Sequence, residues 1–103
     1  MSKVRLTVAY HQPPDPDAFF AHYKDVHVGL AKAVPGLETF EWGKVMATPT
    51  GETPKYAILA ELTFASMDDL GAGLSSPEGE AASADVGQFA SNGADMFISE
   101  VLD

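Results

Sequence analysis

Of the three histidines in this chain, His27 is the one whose surroundings point most directly to chemistry. It falls in the run Phe20-Ala21-His22-Tyr23-Lys24-Asp25-Val26-His27-Val28-Gly29-Leu30, closed by Pro35-Gly36-Leu37, at the edge of an otherwise apolar helix face. An imidazole at such a seam can take up and return a proton near neutral pH, the step that isomerisation, dehydration or enolate oxidation needs. It can equally cap the seam by hydrogen-bonding a carbonyl. Asp85 lies one turn before Phe89, beside the apolar face Ala82-Val86-Phe89 of a second helix. If the two helices lie side by side, its carboxylate can orient or protonate a group near His27; otherwise it is a solvated helix acid. Tyr10, Tyr23 and Trp42 each offer a flat apolar ring and one donor, which suits the wall of a pocket for a flat ligand and also an ordinary core.

Other chemistries find little support. There are no cysteines, so disulfides, thiolate metal sites and cysteine nucleophiles are all absent. His22 and His27 are five residues apart. At about 100° per residue on an α-helix they do not share a face, and there is no H-x-H or H-E-x-x-H pattern, so no metal site and no cofactor are expected. No glycine-rich phosphate loop follows any strand, and no G-x-S-x-G elbow supports a serine nucleophile. The formal charge of −9, with only six Lys and Arg among 103 residues, argues against nucleic acid and against anionic membranes. The acidity reads as a solubilising surface. No apolar run is long enough to span a bilayer, and Met1-Ser2-Lys3-Val4-Arg5 enters a strand pattern at once, so a cytoplasmic protein without a signal peptide is expected.

The elements that must position these side chains follow from period and punctuation. Val4, Leu6, Val8 and Tyr10 alternate with Arg5, Thr7, Ala9 and His11, the period of a strand. Asp15-Pro16 is a helix start, with an acceptor at the cap and a proline where an N–H has no partner. One helix is expected from Pro16 to about Ala33, with Phe19, Tyr23, Val26 and Leu30 as its apolar stripe. His27 and Phe20 flank that stripe on one side and His22 on the other; Gly29 is a weak point where the helix can break. A second strand covers Phe40 to Met46, a loop Ala47 to Pro54, and a third strand Tyr56 to Phe64. Ser66 and Ser76-Pro77 each begin a helical piece, with Gly71 and Gly73 weakening the first. Asn92-Gly93 ends the second, and a last strand runs from Met96 to Leu102.

The order β-α-β-β-α-β predicts an α+β, ferredoxin-like fold, a four-stranded antiparallel sheet with both helices on one face. Both alternating sets of the third and fourth strands are largely apolar. A sheet with one wet face should alternate more cleanly, so a second copy of the chain is expected to cover it as a homodimer.

Two segments resemble the EthD family of the dimeric α+β barrel superfamily. One is the aromatic-x-x-His-Tyr-x-x-x-His-x-x-Leu run from Phe19/Phe20 to Leu30 with Pro35-Gly36-Leu37. The other is Leu74-Ser75-Ser76-Pro77-Glu78-Gly79 leading to Ala84-Asp85-Val86-Gly87-Gln88-Phe89. The resemblance spans nearly the whole chain as a single domain, and Gly29 stands where that family commonly has proline. It implies a dimeric barrel and a link to ethyl tert-butyl ether degradation. It also implies cofactor-free oxygenase, isomerase or dehydratase chemistry on aromatic or cyclic carbonyl compounds. The family histidine maps onto His27. The alternative is a non-catalytic accessory or carrier domain that uses the same pocket for binding or only associates.

Overall fold

The computed structural model describes residues 2–102. Four strands, β1 (Val4–His11), β2 (Leu37–Lys44), β3 (Tyr56–Phe64) and β4 (Ala94–Glu100), pair in the order β2-β3-β1-β4, every neighbour antiparallel. Helical segments bridge β1 to β2 and β3 to β4, which is the ferredoxin-like order. Alternation decides which side chains meet the helices. Val4, Leu6, Val8 and Tyr10 of β1 lie opposite Phe64, Leu62, Ala60 and Ile58 of β3, and all eight are buried. Phe19, Tyr23, Val34 and Leu70 from the helices complete the core.

The first helical passage departs from the single helix expected. Asp15 caps it as predicted, its Oδ1 accepting from the Ala18 N–H at 3.2 Å. Helix α1 (Pro16–His22) then opens into a π-turn over Tyr23–His27 before α2 (Val28–Lys32) resumes. The turn is closed by the Val28 N–H donating to the Tyr23 carbonyl, five residues back. The irregularity therefore precedes Gly29, which sits inside α2.

The second passage is two helices meeting at Ser76, α3 (Met67–Ser75) and α4 (Pro77–Phe89). Ser66 Oγ accepts from the Asp69 N–H at 3.1 Å and Ser76 Oγ from the Gly79 N–H at 3.0 Å, so both predicted caps form. Gly73 lets α3 press against Pro35 and Phe64 rather than merely weakening the helix, and Gly79 permits the joint with α4. A Cβ on Gly73 would stand 2.5 Å from the Pro35 carbonyl oxygen, and one on Gly79 would press on the carbonyls of Gly73 and Leu74. Among the described residues no helix is long and apolar enough to cross a membrane.

The outer sheet face is mixed where an apolar one was expected. Pairing register puts Arg5, Thr7, Glu41, Glu61 and Thr63 on it, with Arg5 Nε 3.3 Å from Glu61 Oε2. Leu59 and Phe97 are the large apolar side chains among these polar neighbours. The apolar excess gathers instead along β4, where Met96, Phe97 and Ile98 are 51%, 57% and 48% exposed.

Candidate functional site

The π-turn sets the geometry of the site. A turn closed across five residues brings positions five apart to one side, and His22 and His27 both reach Asp85 on α4. His27 Nδ1 lies 2.9 Å from Asp85 Oδ2, while His22 Nε2 lies 2.9 Å from Oδ1 and 3.1 Å from Oδ2. The expectation that the two histidines point to opposite flanks is thus overturned. The 100° spacing behind it belongs to an α-helix, and this stretch is not one. His27 is also no edge residue: it is only 5% exposed.

Hydrogen bonding to Asp85 places a proton on one nitrogen of His27. A carboxylate only accepts, so Nδ1 carries the proton, and in the neutral ring Nε2 keeps its lone pair. Tyr10 Oη donates to that Nε2 at 3.4 Å. Burial of the ring pushes the His27 pKa below its ordinary 6.5, overcoming the pull of Asp85 in the other direction. At neutral pH the imidazole is therefore uncharged, with a basic nitrogen beside Tyr10. Burial likewise raises the Tyr10 and Tyr23 phenols, which stay protonated.

Around this chain the aromatic rings interlock. Phe89 stacks on His22 with ring centres 5.0 Å apart and lies equally close to His27. Tyr23 packs edge-on against Tyr10 at 5.3 Å and leans on Trp42 at 4.9 Å. A cavity of about 440 Å³ opens between the helices and the sheet, with Tyr10, Tyr23, His27 and Ser83 as its polar lining residues. Leu6, Val8, Leu62 and Val86 supply apolar wall, and Met96 and Ile98 of β4 complete it on the exposed side. No lysine, arginine or carboxylate lines it among the described residues.

The EthD domain family matches residues 11–93, four fifths of the chain. This chain belongs to the EthD family. An uncharacterized 11.0 kDa protein encoded in the thcB-thcC intergenic region of Rhodococcus erythropolis is 40% identical over 96 residues, which are 93% of this chain and 92% of that one. An EthD-family crystal structure from Bacillus halodurans superposes with a TM-score of 0.91 at 29% identity, covering 97% of this chain and 99% of the other. The hydroxynitrile lyase of Passiflora edulis shares the fold, with a TM-score of 0.79 at 14% identity over 99% of this chain and 95% of its own.

Within this EthD domain, four of the five residues singled out in the sequence come together: His27, Asp85, Tyr10 and Tyr23. Trp42 does not line the cavity; it braces Tyr23 from behind and also touches Phe20. Two contributors escaped sequence reasoning. An α-helical projection turns His22 away from His27, and the signal for it is the histidine pair on either side of Tyr23. Phe89 shows in the sequence only as part of an apolar face. His11 lies apart, with Nε2 3.1 Å from Asp95 and Nδ1 2.8 Å from the Asn92 carbonyl oxygen.

Proposed function

We propose that this EthD protein is a cofactor-independent acid–base catalyst acting on a small aromatic or cyclic carbonyl compound. It is an isomerase or, with dioxygen as oxidant, an oxidoreductase of the monooxygenase type. The observation that carries this reading is the Asp85–His27–Tyr10 chain at an otherwise apolar cavity of a size usual for small-molecule sites.

His27 Nε2 accepts a proton from the carbon next to the substrate carbonyl, and the C–H electron pair passes into the carbonyl as an enolate. Asp85 holds the reactive tautomer and stabilises the imidazolium that forms. The 3.4 Å contact from Tyr10 is long for a hydrogen bond, so an incoming substrate displaces it at little cost. Returning the proton to a conjugated carbon completes an isomerisation. In the oxidative case, a methylene carbon gives up both its hydrogens and becomes a second carbonyl. One atom of dioxygen enters the substrate and the other leaves as water. Tyr10 and Tyr23 contact the ligand, and Trp42 acts through Tyr23. The working unit is a homodimer, supported by the half-exposed apolar run Met96-Phe97-Ile98.

2-Tetralone, a bicyclic ketone with acidic protons beside its carbonyl, tests the reading in D₂O. The protein is expected to speed α-proton exchange followed by NMR, and His27→Gln to lower that rate on the order of 10²–10⁴-fold. Exchange equally fast in the variant overturns the assignment. Binding without catalysed exchange favours the second reading, a carrier or accessory domain, for which the pairing of His27 at both ring nitrogens speaks.

A further inference from the structure

β4 is an edge strand, paired with β1 alone. Its ladder with β1 starts at the Tyr10–Ala94 pair, and just outside that pair a polar knot takes over. His11 stands at the centre of it. Its backbone N–H donates to the Gly93 carbonyl at 3.0 Å and its Nδ1–H to the Asn92 carbonyl at 2.8 Å, both in the turn that leads from α4 into β4. Its Nε2 lies 3.1 Å from the Asp95 carboxylate, in β4 itself. Tyr56 of β3 donates to the same carboxylate at 2.7 Å and stacks on the His11 ring, with centres 5.6 Å apart. These partners decide the charge of the ring. A carbonyl and a carboxylate only accept, so each ring nitrogen needs a proton to meet its neighbour, and only the imidazolium carries two. A neutral ring that keeps the Asn92 bond turns the lone pair of Nε2 toward a negative oxygen.

We propose that His11 is a pH-operated latch on β4: as an imidazolium it joins the Asn92 carbonyl to the Asp95 carboxylate and holds the entry of the strand down, and on losing its proton it lets that entry open. Asp95 first, and the Asn92 carbonyl next, hold the His11 pKa above its ordinary 6.5. Lys55, beside the Tyr56 ring, works against them and is the weaker influence. Tyr56 stays protonated alongside, because its own bond to Asp95 pushes the phenol up. With the folded value raised, the latch is in full force below 6.5, down to where Asp95 itself takes a proton, and is lost as pH rises through the raised value. Both partners are partly exposed, so the effect is local opening of an edge strand and not loss of the fold. Met96, the residue after Asp95, and Ile98 wall the cavity, so the latch sets how firmly that wall is held.

NMR of the His11 ring and amide hydrogen exchange, followed together from mild acid to mild alkali, test this on the unmodified protein. The His11 midpoint is expected above 6.5. Protection of the amides over 93–97, corrected for the intrinsic pH dependence of exchange, is expected to fall roughly two- to fivefold as His11 loses its proton, while Ala60 and Leu62 in β3 keep theirs. His11→Gln, which cannot titrate, is expected to show the lower protection at every pH and no step. Asp95→Asn is expected to move the His11 titration to lower pH. A His11 midpoint at or below 6.5, protection that stays flat through the titration, the same step in His11→Gln, or an unmoved titration in Asp95→Asn overturns the latch.

Discussion

At Asp85 a single carboxylate serves two imidazoles, and what one histidine takes the other loses. Loss of Asp85 removes the interactions that hold the His27 pKa up, and loss of His22 removes one that pushes it down. The His27 titration is therefore expected to move to lower pH in Asp85→Asn and to higher pH in His22→Ala, read from imidazole NMR. Coincident curves in all three proteins would show that the carboxylate is not shared. The sign for stability follows from the same depression. A folded pKa below 6.5 means that protonating His27 penalises the folded state, so its contribution is intact above 6.5 and is lost as pH falls from there toward the depressed value. A base of this kind charges at lower pH than a free imidazole, so the acid limb of any activity it drives lies below 6.5. The residue types at positions 10, 23, 27 and 85 were legible in the sequence as a possible constellation. The role of His22 was not, because it depends on where the chain makes a turn wider than an α-helix. The apolar spacing of Phe19, Tyr23, Val26 and Leu30 is compatible with either winding.

Among the elements, the close approach of α3 to α4 and the π-turn ahead of α2 place the site. Their sensitivities are opposite. Gly79→Ala forces a methyl onto the carbonyls of Gly73 and Leu74, and is expected to cost at least about 1–3 kcal/mol as an overpacked substitution. Gly29→Ala meets nothing within 4 Å inside α2, and is expected to gain about 0.5–1 kcal/mol from helix propensity. Urea denaturation of both variants checks the pair; a stabilised Gly79→Ala would mean the joint is looser than described. The strand and helix order was readable in advance because period-two runs and the caps at Asp15, Ser66 and Ser76 are local signals. The character of the outer sheet face was not. It is set by which residues of β1 and β2 stand across from Glu61 and Thr63, and pairing register is a property of the folded sheet.

For the whole molecule, the exposed apolar run of β4 makes association the expected state, with an interface on the order of 2,000 Å². Sedimentation should show a dimer at micromolar concentration; a folded monomer there would remove the homodimer from the proposal. The outer face, with its Arg5–Glu61 pair, would then be solvated rather than shared. The cavity has a consequence of its own at this scale. Its walls are not an appendage to the fold: Leu6, Val8, Tyr10, Ala60 and Leu62 belong at once to the hydrophobic core and to the lining. A molecule that fits there adds contacts to the very side chains whose packing keeps the chain folded, and the unfolded chain offers it nothing comparable. Mass action then raises the melting temperature with occupancy, by about 2.7 kcal/mol of apparent stability at a hundredfold excess over the dissociation constant. The protein is in this sense its own detector, able to single out its natural occupant from a collection of compounds before any reaction is known.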